Sequence, residues 1–224
     1  MRLRTKILLG LGGALAAAAA AAAVAGWRGR YEEPAYEAVE QRGPLEVRRY
    51  ASRVVAETFV EPGDASAERA TSVGFSRLAN YIFGGNDGGQ SIAMTTPVER
   101  APVEGTRIAM TSPVERVGGA EGWTVTFTMP SEFTLATLPQ PNDPLVTLRE
   151  LPPRTVAVLT FSGKVDEDVR QTRIAEAREL VREQGLQPAG EPTVAQYDPP
   201  WTPWFLRRNE VQIPLEVSPR DDVS

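Results

Sequence analysis

The chain has 224 residues, of which 42% are hydrophobic and 24% are charged, a composition typical of a globular protein with an ordinary core. It contains no cysteine and no histidine, which excludes disulfides, thiolate sites, cysteine nucleophiles and the commonest general base and metal ligand. Its formal net charge of −5 disfavours contact with phosphate backbones, so we expect no nucleic-acid partner.

The N-terminus has the pattern of an export signal. Residues 1–6 are basic, and residues 7–25 form an uncharged apolar run that is just long enough to span a membrane. The run ends in Ala23, Val24 and Ala25, which fit a cleavage pattern. A signal peptide and an uncleaved membrane anchor therefore stay open for residues 1–30, with a buried helix as a third alternative and residues 31–35 as a tether. By the positive-inside rule we expect the body outside the cytoplasm, at the cell membrane if anchored and periplasmic or secreted if cleaved.

Three short alternating runs follow and predict strands at Tyr36–Arg42, Leu45–Tyr50 and residues 54–60. Gly43 and Pro44 mark a turn between the first two. The second run has two faces, one with Leu45, Val47 and Arg49 and the other with Glu46, Arg48 and Tyr50.

The next segment changes to a helical period. One face of the predicted helix carries Thr71, Gly74, Phe75, Leu78, Tyr81 and Ile82. Asp64 or Ser66 can cap its start, and the Gly84, Gly85 pair ends it. Gly74 either marks a close approach to a neighbouring element or is a small residue tolerated by chance.

Residues 91–116 contain nearly the same sequence twice, IAMTTPVER from Ile92 and IAMTSPVER from Ile108. In strand geometry each copy alternates inward and outward side chains and ends at a proline. We therefore predict two antiparallel strands joined by a hairpin loop, with Met94 and Met110 on one sheet face. Alternating Ile, Met and Val are typical of core packing, and the alternative is that a methionine thioether ligates iron.

The order of elements then recurs. An alternating run at residues 123–129 completes the first half of the chain. The second half is predicted to contain strands at residues 145–151 and 155–161, a helix from Asp166 to Gln184, and strands at residues 193–197 and 209–217. The pattern indicates an α+β fold of two similar halves, each with one helix and about four strands. No acid, base and nucleophile converge, so we expect no enzyme.

Four segments resemble the SOUL heme-binding protein family. They are LEVRRY at residues 45–50, GFSRLANYIFGGN at 74–86, IAMTTPV at 92–98 and YDPPWTPWFLRRNEV at 197–211. The resemblance covers residues 36–217 and leaves residues 218–224 as a tail. It implies a distorted antiparallel β-barrel or twisted sheet of about eight strands with two flanking helices, and noncatalytic binding of heme or another tetrapyrrole in an apolar groove. The implied binding residues are Arg49, Tyr50, Phe75, Leu78, Tyr81, Ile82, Met94 and Met110.

One position departs from the family pattern. Family members that ligate iron through histidine carry it where this chain has Arg49. Heme would therefore be held by apolar packing and propionate pairing, or through Met94, Met110 or a tyrosine such as Tyr50 or Tyr81, and metal-free porphyrin stays open as a ligand. Arg49 either pairs a propionate or forms a salt bridge with an acid such as Glu57.

Three alternatives for the function follow from the resemblance. The first is a tetrapyrrole carrier, buffer or sensor, in which Tyr197, Pro199, Pro200, Trp201 and Trp204 either cover a planar ligand or form a rigid loop at the barrel end. The second is an effector-binding-like module for another apolar small molecule. The third is a structural or interaction domain that has lost its ligand.

Overall fold

The computed structural model describes residues 31–61, 67–103, 122–199 and 201–216. Within these ranges the chain forms a nine-stranded sheet, two α-helices and a short 3-10 helix at Trp204–Leu206. The strands are β1 (Tyr36–Arg42), β2 (Leu45–Tyr50), β3 (Arg53–Val60), β4 (Val98–Val103), β5 (Gly122–Thr128), β6 (Val146–Leu151), β7 (Arg154–Ser162), β8 (Thr193–Gln196) and β9 (Arg208–Pro214). The helices are α1 (Ala67–Ile82) and α2 (Glu167–Glu183).

The strands lie in the order β1-β2-β7-β9-β8-β4-β5-β3-β6, and each neighbouring pair is antiparallel. The sheet curls into a half-barrel. The predicted α+β fold with two flanking helices is therefore confirmed, with one strand more than the eight or so expected.

Each helix packs over one half of the sheet and builds its own core. Helix α1 covers β3, β5 and β6, and helix α2 covers β2, β7 and β9. The α1 core contains Ala56, Leu78, Tyr81, Ile82, Ile92, Val125, Phe127, Met129, Leu138 and Val146. The α2 core contains Leu45, Val47, Ala157, Leu159, Phe161, Ile174, Ala177, Val181, Val194, Val211, Ile213 and Leu215.

Two features of the helices that the sequence predicted, the cap of α2 and the glycine inside α1, have the expected structural cause. The Asp166 side chain accepts a hydrogen bond from the backbone N–H of Val169 at 2.9 Å, so it caps α2 where the sequence predicted the start. In α1, a Cβ built on Gly74 would lie 2.5 Å from Cγ2 of Val125. Of the two interpretations of Gly74, the close approach of the helix to β5 is the correct one.

The prediction of a strand over residues 92–98 is wrong. Strand β4 begins only at Val98, after Pro97, and continues into residues that the sequence assigned to a loop. Before it, the backbone N–H of Ile92 donates to the carbonyl of Ile82 at the end of α1, and that of Thr96 donates to the carbonyl of Glu32. These partners take the hydrogen bonds that a sheet neighbour would need. The second IAMT copy, with Met110, lies outside the described residues. Residues 99–103, the first part of the predicted hairpin loop, belong to β4.

The predicted export signal at residues 1–30 also lies outside the described residues, as does the predicted tail at residues 218–224. In the ranges that the structure describes, no helix has the length and apolar character needed to cross a membrane.

Candidate functional site

The sheet has a polar face that lies opposite the two helices. Cross-strand partners point to the same side of an antiparallel sheet, so the register places alternate residues of each strand together. We call this set the polar face: Arg48, Tyr50, Arg53, Glu99, Arg154, Tyr197, Glu210 and Gln212. Arg48 and Glu99 are each 6% exposed and Glu210 is 1% exposed. The described helices pack on the other side of the sheet. The polar face is therefore buried by the curl of the sheet itself.

Glu210 is the centre of one half of the polar face. Its carboxylate accepts hydrogen bonds from Nη1 of Arg48 at 3.0 and 3.1 Å, from the Tyr197 hydroxyl at 2.6 Å and from Nε2 of Gln212 at 3.1 Å. Burial raises the pKa of Tyr197, and the charge of Glu210 raises it further. Burial alone would lower the pKa of Arg48, but the charge of Glu210 and the contact with Tyr50 raise it overall. Arg48 also pairs with Glu46 at 2.5 Å, so this half is a hydrogen-bonded ion cluster with a neutral tyrosine.

Glu99 is the centre of the other half. It accepts a hydrogen bond from Nη2 of Arg53 at 3.0 Å, and Nη2 of Arg154 lies 3.4 Å from its second oxygen. Two buried or half-buried guanidinium groups thus share one carboxylate. Burial lowers the pKa of Arg53, Glu99 opposes this effect, and the neighbouring charge of Arg154 adds to it, so the pKa is lowered overall.

Tyrosine rings cover the cations of the polar face. The guanidinium carbon of Arg48 lies 4.2 Å from the ring centre of Tyr36, and that of Arg53 lies 5.3 Å from the ring centre of Tyr50. The two rings contact each other at a centroid distance of 5.4 Å. These cation-π contacts stabilise buried charge without neutralising it.

A cleft of about 370 Å³ opens at the Arg53 end of the polar face. Its wall combines Arg53 and Thr128 with apolar side chains and with carboxylates from the N-terminal segment and β6. The apolar part includes Pro34, Val54, Met129, Phe133 and Leu135, and the acidic part is Glu32, Glu33 and Glu150.

The loop between β8 and β9 carries a separate aromatic surface, which we call the aromatic loop (Trp201, Trp204 and Phe205). These three side chains are 75%, 57% and 55% exposed, in that order. The rings of Trp204 and Phe205 contact each other edge to face at 5.7 Å. Within the loop, Nε of Arg207 donates to the carbonyl of Thr202 at 2.9 Å. Large exposed rings of this kind are suited to stacking on a flat apolar ligand.

The sequence model of the SOUL heme-binding protein family matches residues 31–214. The chain belongs to this family. Human heme-binding protein 2 is 28% identical to this SOUL chain over 158 residues, which are 69% of this chain and 71% of the human protein. 

Two solved structures share the fold of this SOUL chain. The EcmrR C-terminal domain aligns with a TM-score of 0.54 at 12% identity and covers 82% of this chain and 99% of that domain. An uncharacterized conserved protein from Listeria innocua aligns with a TM-score of 0.51 at 13% identity and covers 77% of this chain and 92% of its own. At these identities the likeness shows the fold alone.

The predicted binding residues of this SOUL chain separate into different environments rather than one groove. Leu78, Tyr81 and Ile82 are fully buried in the α1 core, and the Tyr81 hydroxyl donates to the carbonyl of Pro139 at 2.9 Å. Burial raises the pKa of Tyr81 to about 12. Phe75 lies at the surface of α1. A binding role for these residues stays a prediction, but the three buried ones already serve the core.

Of the remaining predicted residues, Met94 lies against the same α1 core and the other described ones lie elsewhere. Nη1 of Arg49 is 3.2 Å from a carboxylate oxygen of Glu37 on β1, so its salt bridge has a different partner from the expected Glu57. Tyr50 belongs to the polar face, and Met94 is half-buried against the α1 core. Met110 lies outside the described residues.

Most of the polar face was not predicted from the sequence. Arg48 and Tyr50 were correctly expected on one side of β2, but their burial was not expected. The sequence did contain a signal for this face, namely charged residues inside apolar strands. Examples are Arg48 in LEVRRY and Glu210 in RRNEV. A charge on an apolar strand indicates a buried partner on another strand, since unpaired buried charge is costly.

The side chains of this chain are better suited to contact the ring of a tetrapyrrole than to ligate its iron. Neither histidine nor cysteine exists in the chain, and the described ranges hold no group of three or more acidic residues placed for a metal. The Tyr81 hydroxyl is already bonded to Pro139, and that of Tyr50 lies 3.4 Å from Arg48. The aromatic loop, by contrast, offers the exposed rings that a macrocycle stacks on.

Proposed function

We propose that the chain binds heme or another tetrapyrrole without catalysing a reaction, and that the macrocycle lies against the aromatic loop. The observation that carries the proposal is the pair of touching rings at Trp204 and Phe205, each more than half exposed, within the region matched by the family. The ring system of the tetrapyrrole would cover these side chains. 

The physical contribution of this surface is the burial of aromatic area. Covering each half-exposed ring stabilises a complex by about 1 kcal/mol or more, with ring stacking in addition. Arg207 and Arg208 follow the loop directly, and a propionate that reached them would compete with the contacts they already make, Arg208 with Glu33 and Arg207 with the carbonyl of Thr202. The proposal therefore rests on the contact between the macrocycle and the aromatic loop.

The ligand iron has a minor role in this proposal. The chain lacks the histidine that would ligate it, so affinity comes from ring burial, which metal-free porphyrin offers equally. Ligation by the thioether of Met94 or Met110 is the alternative, and it predicts a preference for heme over the free porphyrin.

We also propose that the body acts outside the cytoplasm, either held at the cell membrane by residues 1–30 or released by cleavage. The support is the basic start of the chain followed by the uncharged run at residues 7–25. A carrier, buffer or sensor of tetrapyrrole is consistent with this location. The net charge of −5 supports the absence of a nucleic-acid partner.

Titration of the purified full chain with hemin and with protoporphyrin IX tests the proposal. Absorbance of the ligand and quenching of tryptophan fluorescence are recorded together. We expect saturable binding of one ligand per chain for both compounds, with affinities within about tenfold of each other. A large preference for hemin that is lost in Met94→Leu would support thioether ligation instead.

The double variant Trp204→Ala/Phe205→Ala tests the location, with Phe83→Ala as the matched control. Phe83 is also an exposed ring, at 67%, but it follows α1 instead of lying in the aromatic loop. We expect the double variant to bind at least about tenfold more weakly and the control to bind like the parent. No saturable binding of either porphyrin would refute the function, and loss only in Phe83→Ala would refute the location.

A further inference from the structure

The cleft at the end of the polar face contains donors that lack protein acceptors. Nε and Nη1 of Arg53 are buried without a hydrogen-bond partner, and so is the hydroxyl of Thr128. The Arg53 side chain is only 8% exposed. Buried guanidinium N–H groups without an acceptor are costly, so their presence in the wall of a cleft points to an acceptor that is not part of the chain.

The two side chains are brought together by the sheet register. Val55 pairs with Thr128 across β3 and β5, and Arg53 precedes Val55 by two residues, so Arg53 and Thr128 point to the same face. Both residues line the cleft. Their donors thus belong to one site, rather than to two unrelated defects in packing.

The charge around Arg53 favours a single negative charge. Glu99 is shared between Arg53 and Arg154, so Arg53 has no carboxylate of its own. A monoanion that reaches Arg53 would give this buried cation a second acceptor. 

The acidic part of the cleft sets an upper limit on the charge of the ligand. Glu33 is paired with Arg208, whereas Glu32 accepts only the backbone N–H of Ser131 and keeps its negative charge. Together with the exposed Glu150, these carboxylates disfavour a dianion such as phosphate. A carboxylate satisfies both conditions, because it carries one charge and matches the planar fork of a guanidinium.

The rest of the ligand is defined by the apolar wall and the volume. Pro34, Phe133 and Leu135 line the cleft, and a hydrocarbon chain or ring would lie against them. The volume of about 370 Å³ is at the small end of the range of ligand sites, which is about 300–1,000 Å³. We propose that this cleft binds a small amphipathic monocarboxylate, whose carboxylate pairs with Arg53 and Thr128 and whose apolar part packs on Phe133 and Leu135.

Octanoate is the probe, and calorimetric titration of the full chain is the measurement. We expect saturable binding of one octanoate per chain, with octanamide at least about tenfold weaker because it lacks the charge. Inorganic phosphate is expected not to compete. Equal binding of octanoate and octanamide, or competition by phosphate, would overturn the assignment of a monocarboxylate site.

Two variants and one control test the residues. Thr128→Val removes only a hydroxyl without a partner, so it should keep the thermal midpoint and weaken octanoate several-fold. Arg53→Gln should abolish binding, and if it fails to fold, the result from Thr128→Val decides. Arg178→Gln is the control, since Arg178 is exposed, pairs with Glu191 and lies in a different cleft. Unchanged binding in Thr128→Val, or an equal loss in the control, would refute the site. 

Discussion

Nη2 of Arg154 on β7 lies 3.4 Å from a carboxylate oxygen of Glu99 on β4, although β9 and β8 separate the two strands. In a flat sheet these backbones would be about 14 Å apart, since neighbouring strands are about 4.8 Å apart and side chains stand perpendicular to the sheet. The contact exists because the sheet curls. It joins the half of the sheet covered by α2 to the half covered by α1.

Removing the charge of Glu99 should therefore destabilise the whole half-barrel. In Glu99→Gln the guanidinium groups of Arg53 and Arg154 remain without a buried counter-charge, and we expect a loss of about 3 kcal/mol in the free energy of unfolding. Urea unfolding followed by circular dichroism measures it. Glu191→Gln is the control, because that carboxylate is half exposed in its pair with Arg178 and should change stability by less than about 1 kcal/mol. Equal effects of the two substitutions would contradict the role of Glu99.

The pair of Arg48 and Glu210 should behave differently when both members are replaced. Arg48→Met alone leaves a buried carboxylate and should cost about 3–5 kcal/mol of stability. Arg48→Met/Glu210→Leu should recover part of that loss, because an apolar pair needs no counter-charge. Recovery will be incomplete, since the hydroxyl of Tyr197 also loses its acceptor.

A double-mutant cycle on these positions measures the coupling directly. The Glu210→Leu single variant completes the cycle and leaves Arg48 with only the partly exposed Glu46 as its carboxylate partner. Additive losses in the double variant would show that the two side chains contribute independently, against the hydrogen bonds at 3.0 and 3.1 Å.

The fold was largely predictable because its signals are local. Alternation of apolar residues located eight of the nine strands, and Asp166 marked the start of α2. The prediction of a strand over residues 92–98 failed because alternation describes any extended segment. It does not say whether the backbone N–H groups face a neighbouring strand or, as for Ile92, the end of a helix.

The polar face was less predictable because its partners are distant in sequence. Alternation shows that Arg48 and Tyr50 share a side of β2, but whether that side faces solvent or the inside of a half-barrel depends on how the sheet curls. Arg48 and Glu210 are separated by 162 positions, and no local pattern connects them. The same applies to the cleft, whose donors come from β3 and β5.

Gly74 should resist replacement by alanine even though it lies inside a helix. Alanine adds about 1 kcal/mol of helix propensity, but its Cβ would lie 2.5 Å from Cγ2 of Val125, and such overpacking costs about 1–3 kcal/mol. The difference is a net loss, and we expect Gly74→Ala to lower the free energy of unfolding by up to about 2 kcal/mol in urea.

A position two residues further along α1 provides the control for this test. Ser76 is exposed on α1, so Ser76→Ala should be neutral or slightly stabilising. Adding Val125→Ala to Gly74→Ala should relieve the clash, so the two losses should be less than additive. A stabilised Gly74→Ala would show that α1 does not approach β5 as closely as the structure places it.

Tyr81 should make stability fall in strongly alkaline solution. An unfolded tyrosine has a pKa of about 10, whereas burial in the α1 core raises the pKa of Tyr81 to about 12. Between these values the unfolded chain loses the proton while the folded chain keeps it, so stability that is fully present below about pH 10 is lost as the pH rises. We expect Tyr81 to account for up to about 2 kcal/mol of that loss.

Urea unfolding of the parent and of Tyr81→Phe from pH 8 to pH 12 measures this contribution. The variant should be less stable by about 1 kcal/mol at pH 8, because it lacks the hydrogen bond to the carbonyl of Pro139. Above pH 10 its stability should fall less steeply than that of the parent, so the two curves converge. Burial also raises the pKa of Tyr50 and Tyr197. Because both proteins contain these two tyrosines, the free energy of unfolding should still fall somewhat with pH in each of them. Parallel curves up to pH 12 would mean that Tyr81 ionises equally in the folded and unfolded chain, which the burial of its ring in the α1 core argues against.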